Sequence, residues 1–513
     1  MQKFLSLKKL LVSLILISFL IVPVLSQSQE SGNEEFRKNR QGKSEKQKEG
    51  RKPGGGNSGR QTPINLNIGN IVLGAPTDNS ILANIILSEG NEFFIEYGIK
   101  SGVYINKTSS AIAQNSQPIE VSLTNLKPST KYYYRLNYRD IGQKEFIHLN
   151  ESWFSTQKNK DSEFVFGVQG DSHPERSGKM FNSEYYKKTI SQASTLHPDF
   201  YFMMGDDFSI DRLIENNSIN QSNVETIYKT QRYYFGSIGM NPPLFLVNGN
   251  HEQAAKYLLN GGVDNAAVQA GLARKKYFPL PAPNSFYSGD RDTVANVGLL
   301  KDYYAFEWGA ALFIVIDPYW HSDEAVDNQP SPDGNKKNKN PWGATLGESQ
   351  YKWLKHTLET SKATFKFVFA HHVNGTGRGG VERSDLFEWG GKGQNGQWQF
   401  DRYRPGWELP IHQLMVKNKV TIFFQGHDHL FAKQEKDGVI YQTVPNPADD
   451  THTAFNRDAY TSGSILPNSG FLKVTVNPTE VKLEYVRTYS DDKKDLGKDI
   501  TNSYSYSITK SIK

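Results

Sequence analysis

The sequence predicts an α/β domain preceded by a small all-β sandwich, and three features of it predict this order. From about Ser162 onward, short apolar runs alternate with helical stretches. From Ile64 to Gln157 the apolar runs are β-type only, and turn residues separate them at the short intervals of an antiparallel sandwich. Ahead of both, Gln27 to Pro63 is Gln, Glu, Lys, Arg, Gly, Ser and Asn with almost no apolar residue.

The composition supports a buried core. Hydrophobic residues make up 37% of the 513 and aromatic residues 12%. Mean hydropathy is -0.60, which excludes a polytopic membrane protein. The formal charge of +5 is not spread evenly. Lys3, Lys8 and Lys9 contribute three charges. Gln27 to Pro63 holds nine Lys/Arg against five Asp/Glu. The remainder is close to neutral and gives no electrostatic case for nucleic acid.

Each segment follows in order. Residues 1–26 read as a signal peptide: a basic start, an apolar run from Leu10 to Val24, and Val24-Leu25-Ser26 before a cut near Gln27. The run falls short of the ~20 residues of a spanning helix, so no transmembrane segment is expected in the mature chain. Residues 27–63 cannot offset their ordering entropy and are expected to be a disordered polar linker. The chain has no cysteine, which excludes disulfides and thiolate ligands. Export without cysteine suits a bacterial periplasm or exterior, so the expected location is secreted or periplasmic.

Residues 64–157 carry β-type runs at Ile81–Leu87, Phe93–Tyr97, Ile119–Leu123 and Tyr132–Leu136. Residues 162–508 carry apolar strands at Glu163–Val168, Phe200–Met204, Leu244–Val247, Ala311–Ile316, Phe365–Ala370 and Val420–Phe424. Gly347–Glu359 is predicted helical, with Tyr351, Leu354 and Leu358 at helical spacing. Phe471–Val476 and Val481–Val486 read as a closing hairpin.

Five polar clusters follow five of these strands: Asp171-Ser-His173, Gly205-Asp206-Asp207, Gly249-Asn250-His251-Glu252, His371-His372, and Gly426-His427-Asp428-His429. In an open α/β sheet, ligand sites lie outside the carboxyl ends of the strands, so all five should converge on one edge. Imidazole, carboxylate and carboxamide donors suit hard or borderline cations. The Asp-x-His and His-x-His spacings let both side chains point to one side of an extended segment. The glycines before Asp171, Asp206, Asn250 and His427 permit tight turns. Six of the twelve histidines fall in these clusters; His148, His197, His321, His356, His412 and His452 do not, and read as structural or surface groups.

The ordered set Asp-x-His, Gly-Asp, Gly-Asn-His-Glu, His and Gly-His-x-His resembles the calcineurin-like metallophosphoesterases. The preceding β-region narrows the likeness to the purple acid phosphatase-like branch. Its Leu126–Tyr132 segment resembles the turn before a late strand of fibronectin type III-like domains. The resemblance spans roughly Ile64 to Ile508. It implies an acid phosphatase-like hydrolase acting on phosphate monoesters or diesters, by attack of a hydroxide bridged between two metal ions. Asp171, His173 and His429 would hold one ion, Asn250, His371 and His427 the other, and Asp206 both. His371 is preferred to His372 because the family's ligand lies at the strand end. His251 would contact the phosphoryl group or the leaving oxygen. Glu252 and Asp428 would orient imidazoles.

The family's purple members carry tyrosine three positions after the bridging Asp; here that residue is Ser209. No purple ferric centre is therefore expected, and iron, manganese or zinc all suit the site. Asn374 to Pro410 is rich in glycine and holds Trp389, Trp398, Trp407, Arg378, Arg383, Arg402 and Arg404. It reads equally as a substrate lid and as a surface excursion whose tryptophans cap the domain. The expected partner is a small phosphorylated substrate. The competing function is a cell-surface binding protein whose phosphatase domain is relict.

Overall fold

The computed structural model describes residues 69–114, 117–326, 340–373, 377–489 and 503–510. The segments expected to be a signal peptide and a polar linker, and the first residues of the Asn374–Pro410 stretch, lie outside them. Ile64–Lys513 forms one compact unit.

Alternation of side chains builds the core. In β7 (Phe164–Gln169), Phe164, Phe166 and Val168 face one way, and Gly167 faces the other. A Cβ on Gly167 would lie 2.3 Å from the Tyr201 ring, so that side of the strand has no room for one. The strand is the fourth of a nine-stranded sheet. The strands before it are β1 (Asn70–Gly74), β2 (Ile81–Ile86), β3 (Asn91–Gly98), β4 (Ile119–Leu123), β5 (Lys131–Asp140) and β6 (Ser152–Ser155). After it come helix α1 (Ser183–Thr195), β8 (Phe200–Met203), α2 (Gln221–Gly239), β9 (Leu244–Leu246) and α3 (Ala266–Tyr277).

A second sheet follows. It holds β10 (Tyr304–Trp308), β11 (Ala311–Val315), β12 (Phe365–Phe369), β13 (Ile422–Gln425), β14 (Phe431–Lys436) and β15 (Val439–Thr443), with two short edge strands. Helices α4 (Gly347–Thr360) and α5 (Ile411–Lys417) cover its outer face through Tyr351, Leu354, Leu358, Ile411 and Leu414. The chain closes with β16 (Phe471–Val476), β17 (Glu480–Val486) and β18 (Tyr504–Thr509), which extend the first sheet.

The two sheets face each other through phenylalanine. Phe202 stacks on Phe369 with centroids 4.1 Å apart, and Phe369 stacks on Phe424 at 4.8 Å. Each buried ring contributes about 2–3 kcal/mol of apolar burial. Helices α1, α2 and α3 cover the far side of the first sheet through Tyr186, Tyr228, Phe235 and Ala270. The layers therefore run helix, sheet, sheet, helix.

Strands β7, β8 and β9 run parallel, as do β11, β12 and β13. Their carboxyl ends deliver the five polar clusters to one edge.

The N-terminal region is a β-sandwich, with Ile71, Leu73, Phe93, Ile95, Tyr134 and Phe154 between its sheets. One of those sheets is continuous with the large one. The order is β18–β17–β16–β7–β8–β9–β1–β2–β4, and β1 pairs in parallel with β9 at Gly74 and Leu244. The polar break near residues 157–162, where the sequence suggests a boundary, is thus crossed by backbone hydrogen bonding. Arg232 of α2 fastens the join. Its guanidinium is buried and donates to Asn84 Oδ1 (2.7 Å), to the Asn70 side chain and to the Tyr277 carbonyl. Burial pulls this guanidinium down to about 9. Tyr134 of β5 adds a hydrogen bond to the Met240 carbonyl at the end of α2 (2.6 Å).

Candidate active site

All seven predicted ligands and His251 are buried at that edge. The loop after β7 brings Asp171 and His173; the turn after β8 brings Asp206. The loop after β9 brings Asn250 and His251 in a single 3-10 turn, Asn250–Glu252. The end of β12 brings His371, and the loop after β13 brings His427 and His429.

Three groups of ligand atoms each lie within 4.8 Å of one another: Asp171, His173 and His429; Asp206, His371 and His427; and His173, Asp206 and His251. The carboxylate oxygens sit at the centre. Asp171 Oδ2 lies 2.9 Å from His429 Nε2 and 3.8 Å from His371 Nε2. Asp206 Oδ2 lies 3.0 Å from His371 Nε2 and 3.5 Å from His173 Nε2. Asn250 enters this arrangement through its neighbour, since the His251 N–H donates to Asp206 Oδ1 (2.9 Å). The His427 N–H donates likewise to Asp171 Oδ1 (2.9 Å).

The donor set fits cations. His173 Nε2 faces His429 Nε2 at 3.1 Å, and His427 Nδ1 faces His371 Nε2 at 3.3 Å. Ring nitrogens turned toward each other around two carboxylates are the arrangement that a shared positive ion satisfies.

The electrostatics follow from burial and crowding. Burial alone would raise Asp171, but the His371 and His429 imidazoles hold it down at about 2. Asp206 is likewise held well below the carboxylate range, by His371 and His251 against its burial. The same carboxylates raise His371 to about 10, although burial opposes its charge. Burial lowers His429 to about 4, and burial with help from Arg378 holds His427 well below the usual imidazole range.

Of the adjacent pair, His371 reaches the carboxylates, and its Nδ1 is bonded to the Met204 carbonyl (2.7 Å). His372 turns its Nδ1 to the Tyr319 hydroxyl (2.8 Å) and stacks on His427 at 4.6 Å.

Three local expectations need correction. First, the paired residues do not lie on extended backbone. His173, Asp206, His427 and His429 all have left-handed φ, between 50° and 68°. The strands end before them and the chain folds back at once. Second, the glycines serve mostly as space. Of the four preceding glycines only Gly205 has positive φ, at 95°. At Gly426 a Cβ would meet Asp171 Oδ1 at 2.4 Å, so a side chain there would push the carboxylate aside.

Third, Glu252 and Asp428 orient no imidazole. Glu252 accepts the backbone N–H groups of Gly249 (2.6 Å), Asp206 (3.0 Å), Asp207 (2.8 Å) and Phe208 (3.2 Å), tying the two loops together. Asp428 accepts the Tyr460 hydroxyl (2.6 Å) and the Gly379 N–H (2.8 Å). The carboxylates that do hold imidazoles are Glu175, at 2.8 Å from His173 Nδ1, and Asp211, on His251 Nδ1.

Of the two readings of the glycine-rich stretch, its described residues favour the cap, packing mostly onto the domain. Trp407 stacks on Tyr351 at 3.8 Å, and buried Trp389 donates to the Tyr441 hydroxyl (2.9 Å). Arg383 donates to the Arg378 carbonyl (2.8 Å), and Arg404 is held by Glu388. Arg378 alone of the four arginines touches a ligand motif, and it donates to the His427 carbonyl.

Sequence reasoning also missed Arg176. Its Nη2 lies 3.0 Å from His251 Nε2. Burial and Arg176 both work against charge on His251, while Asp206 and Asp211 raise it to about 9. Glu175 and Arg176 stand just beyond Asp-x-His, and proximity in sequence was their only available signal. Asp211, five residues past Asp206, had none.

A family model for the calcineurin-like phosphoesterases matches residues 164–431, just over half of the chain. Among solved structures, the purple acid phosphatase PPD1 from yellow lupin (Lupinus luteus) seeds aligns with 86% of this chain and 74% of its own, at 16% identity and a TM-score of 0.55. A structure of PhoD aligns with 86% of this chain and 89% of its own, at 15% identity and a TM-score of 0.59. None of the curated proteins matches. At such identities the two structural likenesses concern the fold.

Proposed function

Since the chain belongs to the calcineurin-like phosphoesterase family, we propose that it is an exported hydrolase of phosphate esters working at a two-metal site. The observation that supports this most is the meeting of Asp171 and Asp206 with four imidazoles inside one buried cluster. In this reading Asp171, His173 and His429 would hold one ion, Asn250, His371 and His427 the other, and Asp206 would serve both. The leader-like Leu10–Val24 run supports export.

Two cations there would make hydroxide available near neutral pH and offset charge on the phosphoryl and leaving oxygens. The protein does the rest. Glu175 and the Met204 carbonyl fix the rings of His173 and His371, so the ligand set is formed before substrate arrives. Glu252 clamps the Asp206 and Asn250 loops at one spacing. The oxygen of water bonds to phosphorus, the ester P–O bond breaks, and a proton reaches the departing oxygen. His251, steadied by Asp211, would supply that proton.

The site carries no tyrosine beside Asp206, and the Tyr319 hydroxyl is engaged by His372. That favours manganese, zinc or ferrous iron as readily as ferric iron.

Metal analysis combined with turnover of a monoester and diester panel tests the proposal. The metal-loaded protein should hydrolyse a chromogenic phosphate ester, and a chelator should abolish the activity reversibly. Asp206→Asn should lose at least about a thousandfold in kcat and bind less metal. Wild-type turnover by Asp206→Asn, or by chelated protein, would refute it.

A further inference from the structure

We propose that Arg176 seats a non-ester oxygen of the substrate's phosphoryl group, and that this makes the site selective for monoesters. The inference rests on the phosphoesterase reading above.

Arg176 ends the short turn Pro174–Arg176 that follows the Asp171-Ser-His173 motif. The turn is held in place. Arg176 N–H donates to the His173 carbonyl (2.9 Å), and the N–H groups of Lys179 and Met180 donate to the Arg176 carbonyl (3.0 and 3.3 Å). The Asn446 side chain reaches the Met180 carbonyl (3.3 Å). The guanidinium is thus projected from a fixed loop, with 28% of the side chain exposed.

Each nitrogen has a different neighbour. Nε lies 3.3 Å from Glu175 Oε1, and Nη1 lies 3.4 Å from the Met180 sulfur. Nη2 faces His251 Nε2 at 3.0 Å, and that imidazole nitrogen lies 3.9 Å from Asp206 Oδ2. The Nη2 end therefore stands one imidazole away from the carboxylate at the centre of the site. Glu175 is shared, because its Oε1 also holds His173 Nδ1 (2.8 Å). Arg378, the other arginine at these motifs, is turned inward to the His427 carbonyl and Asp428. Among the described residues, Arg176 is the cationic group aimed at the side of His251 that faces the site.

A guanidinium has donors only and pairs strongly with phosphoryl oxygens. A monoester presents three non-ester oxygens and a second negative charge. A diester carries a neutral alkoxy group in place of one of them. A cation at the rim beyond the metal ligands discriminates between these two, whereas the metal ligands are common to both.

The test uses the full metal-loaded chain with wild-type, Arg176→Ala and Arg176→Lys proteins. p-Nitrophenyl phosphate and p-nitrophenyl methyl phosphate share a leaving group and differ in the third oxygen. Arg176→Ala should lose about ten- to hundredfold in kcat/KM on the monoester and less than about threefold on the diester. Its affinity for inorganic phosphate, measured by calorimetry, should weaken by about tenfold or more. Metal content should not change, and Arg176→Lys should recover part of both losses. Equal losses on the two esters would overturn the proposal, since the arginine would then act only by positioning His251. Unchanged phosphate affinity would overturn it as well. If the wild-type protein hydrolyses neither ester, the phosphoesterase reading fails; the phosphate arm still decides whether Arg176 seats the anion.

Discussion

The side chains of the cluster are held by unfavourable backbone. His173, Asp206, His427 and His429 take left-handed φ, which costs a non-glycine residue about 1–3 kcal/mol each. Surrounding hydrogen bonds keep them there, and Glu175 is the one closest to the chemistry. Its bond to His173 Nδ1 fixes which ring nitrogen faces the carboxylates. Glu175→Gln should keep the fold and weaken metal affinity by about ten- to hundredfold, read by titration against a competing chelator. Unchanged affinity would remove Glu175 from this role. At this scale the sequence was partly legible. Asp171, His173, Asp206, Asn250, His371, His427 and His429 stand in recognisable spacings at strand ends. Glu175, Asp211 and Arg176 do not, because a supporting carboxylate or guanidinium follows no fixed interval and is chosen by the fold of the loop. Glu252 and Asp428 lie inside motifs, yet they bind backbone and hydroxyl groups that no spacing reveals.

The strands are the best-read elements. Alternating Phe and Val in Phe164–Gln169 and the apolar run Phe365–Phe369 announce themselves, because burial between two sheets leaves a clear pattern. Tyr304–Trp308 and the hairpin Phe431–Lys436 with Val439–Thr443 were less visible, since polar residues such as Glu307 and Gln434 interrupt them. Helix α2 could not be assigned its second task from sequence. In the fold Arg232 reaches Asn70 and Asn84 of the neighbouring sandwich. Arg232→Met removes the donors and leaves several buried oxygens unsatisfied. It should destabilise the protein by about 3 kcal/mol, measured by denaturant unfolding, with little change in KM. Wild-type stability would show that solvent reaches the vacated oxygens.

Across the whole molecule, the two sheets share one phenylalanine core, and the sandwich shares a sheet with the catalytic region. Residues 64–513 should therefore unfold in one transition. Far-ultraviolet and near-ultraviolet circular dichroism should give coincident curves, and Phe202→Ala should shift both together by about 3–5 kcal/mol. Two separated transitions would mean that the sandwich folds on its own. The sequence suggests two units here because residues 157–162 are polar and short of apolar contacts. Backbone pairing between β1 and β9 leaves no such mark, since it depends on main-chain groups that every residue has.

That pairing also governs how the protein can be cut. Trimming the chain at residue 157 would strip β1 from β9 at Gly74 and Leu244 and bare the main-chain edge of a short apolar strand. Such a rim recruits copies of itself. The sandwich thus serves as the selvedge of the catalytic sheet, and a catalytic fragment made without it should precipitate.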